Sequence, residues 1–299
     1  MIRHMYLLLI SFTISIGAVD DETYTITMKE TRQGDKGQMN KQSTDKSTFQ
    51  IADKDGNLLQ EVNETVVEKF AYRQTILDQP AGEKKVVRLT RSYEQAEIIK
   101  GDDKRALPYQ GKTVLIQKKG DKYHFQIDGG EELMGEDAKL LDKEFNQNKG
   151  DGIDFNKIFL PKKPVRVQES WELDTEALRK DLEKTSGVEV DAAKVKATAK
   201  LMKAYRKDGH QFGVIQIHLD FPIKLFKRDD VKITLDTPAS FLADATIDSC
   251  IDGSTNGGTM KFKLRMEGQG ELARGEMKFK VTIKSEVSAE ESEKDFAEK

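Results

Sequence analysis

The chain has 299 residues, of which 34% are charged and 37% hydrophobic, and a formal net charge of −3 at pH 7. That balance argues against a nucleic-acid binder, which carries a basic face or stripe. It permits a core, but a thin one, with one face of most elements left in water. The lone cysteine, Cys250, excludes an intramolecular disulfide, so packing has to hold the fold together.

The N-terminus reads as a secretory signal. Arg3 supplies a positive start, an apolar run covers residues 5–16, and the small residues Gly17 and Ala18 precede the acidic Asp20, Asp21 and Glu22. Charge, short apolar core and small cleavage site belong together in such signals. Cleavage is expected after Ala18, with Gly17 the second choice. The run is shorter than the ~20 residues of a spanning helix, and no cysteine stands at the cut to carry a lipid. The expectation is a protein released in soluble form into the periplasm or outside the cell, not membrane-spanning.

Alternation of apolar and polar residues dominates the rest of the chain. In the first half it is noisy: Tyr24, Ile26 and Met28; Val87 and Leu89; Tyr123, Phe125 and Ile127. Asp55-Gly56, Gly120-Asp121 and Asp208-Gly209 suit tight hairpins, because both residue types tolerate positive φ. Leu133, Met134, Ala138, Leu140, Leu141 and Phe145 form one apolar stripe, which predicts a helix over 131–145. A second helix is predicted over 175–184, with Asp174 as N-cap and Gly187 just past its end.

In the second half alternation is clear. Residues 194–205 are rich in Ala and Lys, but Val195, Ala197, Ala199 and Leu201 alternate, and Asp208-Gly209 would join them to the next strand. Ile215, Ile217, Leu219, Phe221 and Ile223 come next. Val231, Ile233 and Leu235 repeat the pattern, as do Phe241, Ala243, Ala245 and Ile247. So do Met260, Phe262, Leu264 and Met266, and then Met277, Phe279, Val281 and Ile283. Period two with a wet face implies antiparallel sheets.

The fold class is therefore mainly β, a β-rich α+β arrangement of antiparallel sheets, in the form of two half-barrel or sandwich-like halves. The division places a signal peptide at 1–18, an N-terminal β-rich half at 19–130 and a helical connection at 131–160. A C-terminal β-rich half with one helix occupies 161–285, then a charged tail at 286–299 that frays from about Glu290.

The segment Leu160-Pro161-Lys162-Lys163-Pro164-Val165-Arg166-Val167-Gln168-Glu169-Ser170-Trp171 resembles a stretch of uncharacterised secreted β-rich proteins of environmental bacteria. There a Leu-Pro and Pro-Val-x-Val run leads to Gly-Asp-Ser-Trp; here Gln168 and Glu169 stand in place of the Gly and Asp. The resemblance implies the general layout and no activity. By parity, Val165, Val167, Trp171 and Leu173 also read as one strand anchoring a core.

No catalytic, cofactor or metal constellation is expected. His124 and His218 fall on wet strand faces and His210 beside a turn, without the spacing of a metal pair. Cys250 ends an alternating strand and reads as a small buried hydrophobe. Asp53-Lys54-Asp55-Gly56-Asn57 matches a calcium loop only in part, since that loop wants Gly at its sixth position. Asp151-Gly152-Ile153-Asp154 reads as a turn. The stripes Lys261, Lys263, Arg265 and Lys278, Lys280, Lys284 read as solvated sheet faces that could meet an anionic polymer or head group.

Three functions stay open. The first is a non-enzymatic exported protein with a structural or binding role, its partner an apolar small molecule or an envelope component. The second sharpens it into a carrier of a lipid or other apolar ligand in a curved sheet, with Met260, Met266 and Met277 as adaptable wall residues. The third is a hydrolase with a site assembled from loops. An outer-membrane barrel fits poorly with 7% aromatic residues, because such barrels carry aromatic girdles.

Overall fold

The computed structural model describes residues 22–81, 85–147, 155–228, 231–274 and 277–296. The signal segment at 1–18 and the turn at Asp151 to Asp154 lie outside the described residues.

In chain order the strands of the first half are β1 (Thr23–Tyr24), β2 (Lys36–Ala52), β3 (Leu58–Asp78), β4 (Arg88–Lys100), β5 (Asp103–Ala106), β6 (Thr113–Lys119), β7 (Lys122–Ile127) and β8 (Glu131–Glu132). Two single-turn helices follow, α1 (Lys139–Asp142) and α2 (Phe155–Ile158). Then come β9 (Val165–Arg166), β10 (Ser170–Glu172), α3 (Thr175–Ser186) and β11 (Val188–Val190). The chain ends in five long strands: β12 (Lys196–Lys207), β13 (His210–Arg228), β14 (Val231–Cys250), β15 (Gly258–Arg274) and β16 (Met277–Asp295).

Fourteen of these strands form one antiparallel sheet, in the order β10-β12-β13-β14-β15-β16-β2-β3-β4-β6-β7-β8, with β11 beside β13 and β5 beside β4. The β-rich, antiparallel class read from the sequence is what the structure has. Both halves contribute to this sheet, because β16 pairs along its length with β2.

Directly opposed residues of an antiparallel ladder share a face. One such row crosses eight strands: Ala199, Ile217, Ala245, Phe262, Ala289, Ser43, Glu68 and Ile98. It is apolar from β12 to β16, polar on β2 and β3, and apolar again on β4. The face thus carries two cores separated by a polar waist. The first gathers Leu201, Ile215, Ile217, Phe221 and Ile223 under Ile26, Leu160, Val165 and Leu178. The second gathers Tyr93, Ala96, Val114, Ile116 and Phe125 under Leu107, Tyr109, Leu133 and Leu141.

The opposite face is charged, and its charges are matched across strands. Lys263 pairs with Glu286 at 2.9 Å, Lys284 with Glu267 at 2.9 Å, Lys278 with Glu271 at 3.0 Å and Lys261 with Glu290 at 3.4 Å. The lysine stripes are therefore half of a ladder of opposite charges on a solvated face. Each exposed pair contributes at most about 1 kcal/mol.

Several predicted elements match closely. The segment 194–205 is strand from Lys196 onward, as β12, while Lys194 closes a 3₁₀ turn at Ala192–Lys194. Lys207 and His210 face each other across Asp208 and Gly209, whose φ values of 51° and 84° are those of a two-residue turn with both residues left-handed. In α3, the Asp174 side chain accepts from the Ala177 N–H at 3.0 Å, and Gly187 closes the helix at φ 68°.

Others are corrected. No single helix covers 131–145: β8 continues the sheet, Leu133 still donates to the Phe125 carbonyl, and Gly135 turns at φ 60° before α1 and one π-helical turn at Lys143–Gln147. The loop at 53–57 is not a two-residue turn, because Asp53 organises five residues. Its carboxylate accepts from the Asp55 and Asn57 N–H groups and the Asn57 amide, leaving Gly56 at φ 92°. Residues 165–173 are not one strand; Gln168 takes φ 72° and breaks the run between β9 and β10. The tail does not fray at Glu290. β16 runs to Asp295, whose carboxylate accepts from Thr255 Oγ1 at 2.7 Å and from Asn256 Nδ2 at 2.9 Å.

Leu201 is fully buried in the first core. Leu201→Ala should cost about 2–5 kcal/mol in denaturant unfolding. Lys263→Ala, on the exposed ladder, should cost no more than about 1 kcal/mol.

Candidate functional site

Two concavities lie along the face that carries the cores. The first is an apolar groove over β13, β14 and β15. Ala243 and Ala245 are directly opposed to Leu219 and Ile217 on β13, and to Leu264 and Phe262 on β15. Their short side chains leave space where larger neighbours would fill it. Ile217, Leu219, Ile247, Met260 and Phe262 line the rest of the sheet side.

Phe155 and Phe159 complete the groove from α2 and the turn after it. They lie four residues apart, so they share a helix face. The Phe159 N–H donates to the Phe155 carbonyl at 2.9 Å, and the rings stack with centroids 4.9 Å apart. Two side-chain bonds hold this turn in place. Trp171 Nε1 donates to the Phe159 carbonyl at 2.9 Å, and Asn156 Nδ2 donates to the Met28 carbonyl at 3.3 Å. The groove encloses about 380 Å³ and no charged residue lines it. That volume falls in the range of small-molecule pockets, ~300–1,000 Å³.

The second concavity is polar and holds about 510 Å³ beside the second core. Arg91 is its anchor, with a side chain only 8% exposed. Its two terminal nitrogens donate to Glu144 at 2.9 and 2.7 Å, and its Nε donates to Gln74 Oε1 at 2.8 Å. The guanidinium also lies against the rings of Tyr72 and Phe145, at 4.5 and 5.0 Å from their centroids. Burial opposes its charge, but Glu144 together with Tyr72 and Tyr93 outweighs this and raises the pKa. Arg91 thus ties the π-helical turn to β3 and β4, with every guanidinium nitrogen already donating.

Around it pack Tyr72, Tyr93 and Tyr109, with centroids 5.2 Å apart for the first pair and 4.7 Å for the second. Burial pushes all three phenols above their ordinary pKa. Glu68, Glu291 and Glu293 line the waist side. Lys41 pairs with Glu291 at 2.8 Å. Burial, with Asp295 nearby, pushes the Glu293 carboxyl up.

The histidines read from the sequence stay apart. His124 Nδ1 lies 2.6 Å from Glu132 and His218 Nδ1 lies 2.8 Å from Asp244, both on exposed faces. His210 Nδ1 meets Ser254 Oγ at 2.7 Å, and that hydroxyl also donates to Asp252. The serine therefore sits between acid and imidazole. A nucleophilic triad needs the imidazole in the middle, oriented by the acid. Asp252 further accepts from the Cys250 thiol at 3.0 Å and the Gln211 N–H at 2.7 Å, and these bonds hold its carboxyl far below the usual range. The cluster is a clamp on the loop after β14, and Cys250 is buried within it.

The sequence reading supplied every sheet residue of the groove but not Phe155 and Phe159. It missed Arg91 altogether, although a signal was there. Leu89, Arg91 and Tyr93 continue the alternation that Val87 and Leu89 begin, which puts an arginine on a buried parity.

No known protein family and no curated protein matches the chain. Solved structures that match the chain include two outer membrane proteins. The outer membrane protease OmpT from Escherichia coli is 9% identical, with 91% of this chain and 100% of that chain covered and a TM-score of 0.23. An outer membrane channel from Pseudomonas putida F1 is 6% identical, with 89% and 97% covered and a TM-score of 0.16. At such scores the likeness decides nothing about this chain. No described helix is long and apolar enough to cross a membrane.

Arg91→Ala should remove the buried guanidinium with its bonds to Glu144 and Gln74 and cost about 1–3 kcal/mol in chemical denaturation. Arg91→Lys should recover little, because an ammonium cannot replace the fork or the stacking. Glu293 carries a raised folded pKa, so the wild type loses stability as pH rises above its unfolded value of 4.5. Thermal melts should therefore find Glu293→Gln more stable than wild type at pH 7–8 and equal to it well below pH 4.5.

Proposed function

We propose that this is an exported, non-enzymatic binding protein whose ligand is a small apolar molecule seated in the groove of β13, β14 and β15. The observation that carries this reading is the groove itself. It is lined by nine apolar residues and no charged one, and six of them remain only partly buried at the edge of the first core. A groove of this kind binds by removing apolar surface from water, at about 25 cal/mol per Å². Met260 supplies an adaptable wall, while Met277 is exposed and serves no such role.

The signal-like N-terminus at 1–18 supports export. The hydrolase reading is disfavoured by the order of Asp252, Ser254 and His210. The barrel reading is disfavoured by the charged ladder on the face opposite the cores, because lipid faces an apolar band in such barrels.

The test is displacement of a neutral fluorescent probe, N-phenyl-1-naphthylamine, from protein purified without residues 1–18 and without detergent. Wild type should bind the probe. Ala245→Trp should fill the groove and lower the affinity at least tenfold while the Tm stays within a few degrees. Absence of probe binding, or binding that Ala245→Trp leaves unchanged, would overturn the reading.

A further inference from the structure

The first part of β3 is paired on one side only. Leu58 to Thr65 lie against β2, while β4 joins from Val66 onward. Where β4 ends, the Thr65 carbonyl accepts from the Gly101 N–H at 3.4 Å. Main-chain groups alternate in direction along a strand, so those of Glu61 and Asn63 point the same way as those of Thr65, out of the edge. Among the described residues no strand meets them.

Other edges of the sheet are blunted. On β7, the Tyr123 N–H and carbonyl are both bonded by the Asn146 side chain. β10 and β11 are three residues each. β5 carries Lys104 and Arg105, and the end of β12 carries Lys203, Arg206 and Lys207. Short strands, caps and basic side chains keep edges from pairing. The edge from Leu58 to Glu64 has none of these devices. It keeps a regular register on β2 from Gln60 onward, contains no lysine, arginine or proline, and exposes Leu58, Leu59 and Val62.

The order of its side chains says what it pairs with. Set antiparallel against its own copy about Val62, the run Gln60-Glu61-Val62-Asn63-Glu64 opposes an amide to a carboxylate at every polar position. Gln60 meets Glu64, Glu61 meets Asn63, and Val62 meets Val62. A register centred on Glu61 would oppose that carboxylate to itself, and one centred on Asn63 would set Val62 against Glu64; both are unfavourable cross-strand pairs. The backbone agrees with the register about Val62. Glu61 and Asn63 would exchange the hydrogen bonds, and Val62 would fall at a non-hydrogen-bonded position, with Cα atoms ~4.5 Å apart. Gln50 Nε2 donates to Glu61 at 3.0 Å and Thr48 Oγ1 donates to Asn63 at 2.7 Å, so β2 already holds both side chains in place. Glu64 also pairs with Lys100 of its own chain.

We infer that this edge is a dimer interface: two copies of the chain join antiparallel along Gln60 to Glu64, so that one sheet runs through both. The interface is isologous, as a two-fold requires, and is independent of the groove.

Sedimentation velocity of the protein lacking residues 1–18 should show a reversible dimer whose share grows with concentration. Val62→Lys puts two lysines against each other at the centre. It should return the monomer at unchanged Tm, because Val62 is exposed. Asn63→Pro removes an N–H that faces outward and not toward β2, and should also return the monomer. In a Cys250→Ala background, Val62→Cys should crosslink two chains under mild oxidation, whereas Glu64→Cys, opposed to Gln60 and far from its twin, should not. A chain that stays monomeric at every soluble concentration would overturn the inference. So would a dimer that Val62→Lys and Asn63→Pro both leave intact, or a Glu64→Cys crosslink as ready as that of Val62→Cys.

Discussion

The pairing of β16 with β2 is the constraint on which the rest of the structure depends. Lys280 to Asp295 lie opposite Gly37 to Ala52 without a break in register. Without that seam the chain would hold two separate sheets, each with its own core and its own edge strands. With it, the two cores and the two concavities fall on one continuous face. The seam is held by main-chain hydrogen bonds and cross-strand side-chain pairs rather than by apolar burial, because β2 is polar on both faces over most of its length. Its ends are fastened elsewhere. Asp295 is tied to Thr255 and Asn256, and Arg73 lies 5.3 Å from the centre of the Phe296 ring.

This arrangement explains why the two ends of the sheet differ in chemistry. At the first core, small and medium apolar residues fill the face under α3 and the segments around Ile26 and Leu160, and the alanines of β14 leave the groove. At the second core a short helical segment covers the sheet, and the buried Arg91 guanidinium, paired with the half-exposed Glu144, fixes where that segment sits. The fork to Glu144 and the bond to Gln74 join that segment to β3 and β4. The tyrosines and unpaired carboxylates beside it occupy the boundary between core and polar waist, where burial and charge are forced together.

Burial decides which parts of the fold are legible in the residues. β12 to β15 and the first part of β16 are legible because one face is buried, and burial on one face writes period two into the residues. α3 is legible from Asp174 and Gly187, which act locally. β2 and most of β3 are illegible, because strands wet on both sides have no reason to alternate, and the register of β2 on β16 comes from a partner more than two hundred residues away. The stripe from Leu133 to Phe145 reads as a helix because its apolar residues, apart from the exposed Met134, meet one core. They meet it from an extended stretch, a tight turn at Gly135 and two short helical turns. Within the candidate sites, sheet residues follow from parity, whereas Phe155, Phe159 and the partners of Arg91 depend on tertiary placement that no spacing encodes.

The seam itself is open to a direct measurement. Ser47 and Ser285 are directly opposed across β2 and β16, close enough for a disulfide if the register is right. In a Cys250→Ala background, Ser47→Cys with Ser285→Cys should form a crosslink in the monomer under mild oxidation, read as a shift in non-reducing electrophoresis. Moving the second cysteine four residues along, to Ala289, should abolish it. A crosslink that forms equally well at both positions, or at neither, would contradict a single continuous sheet with this register.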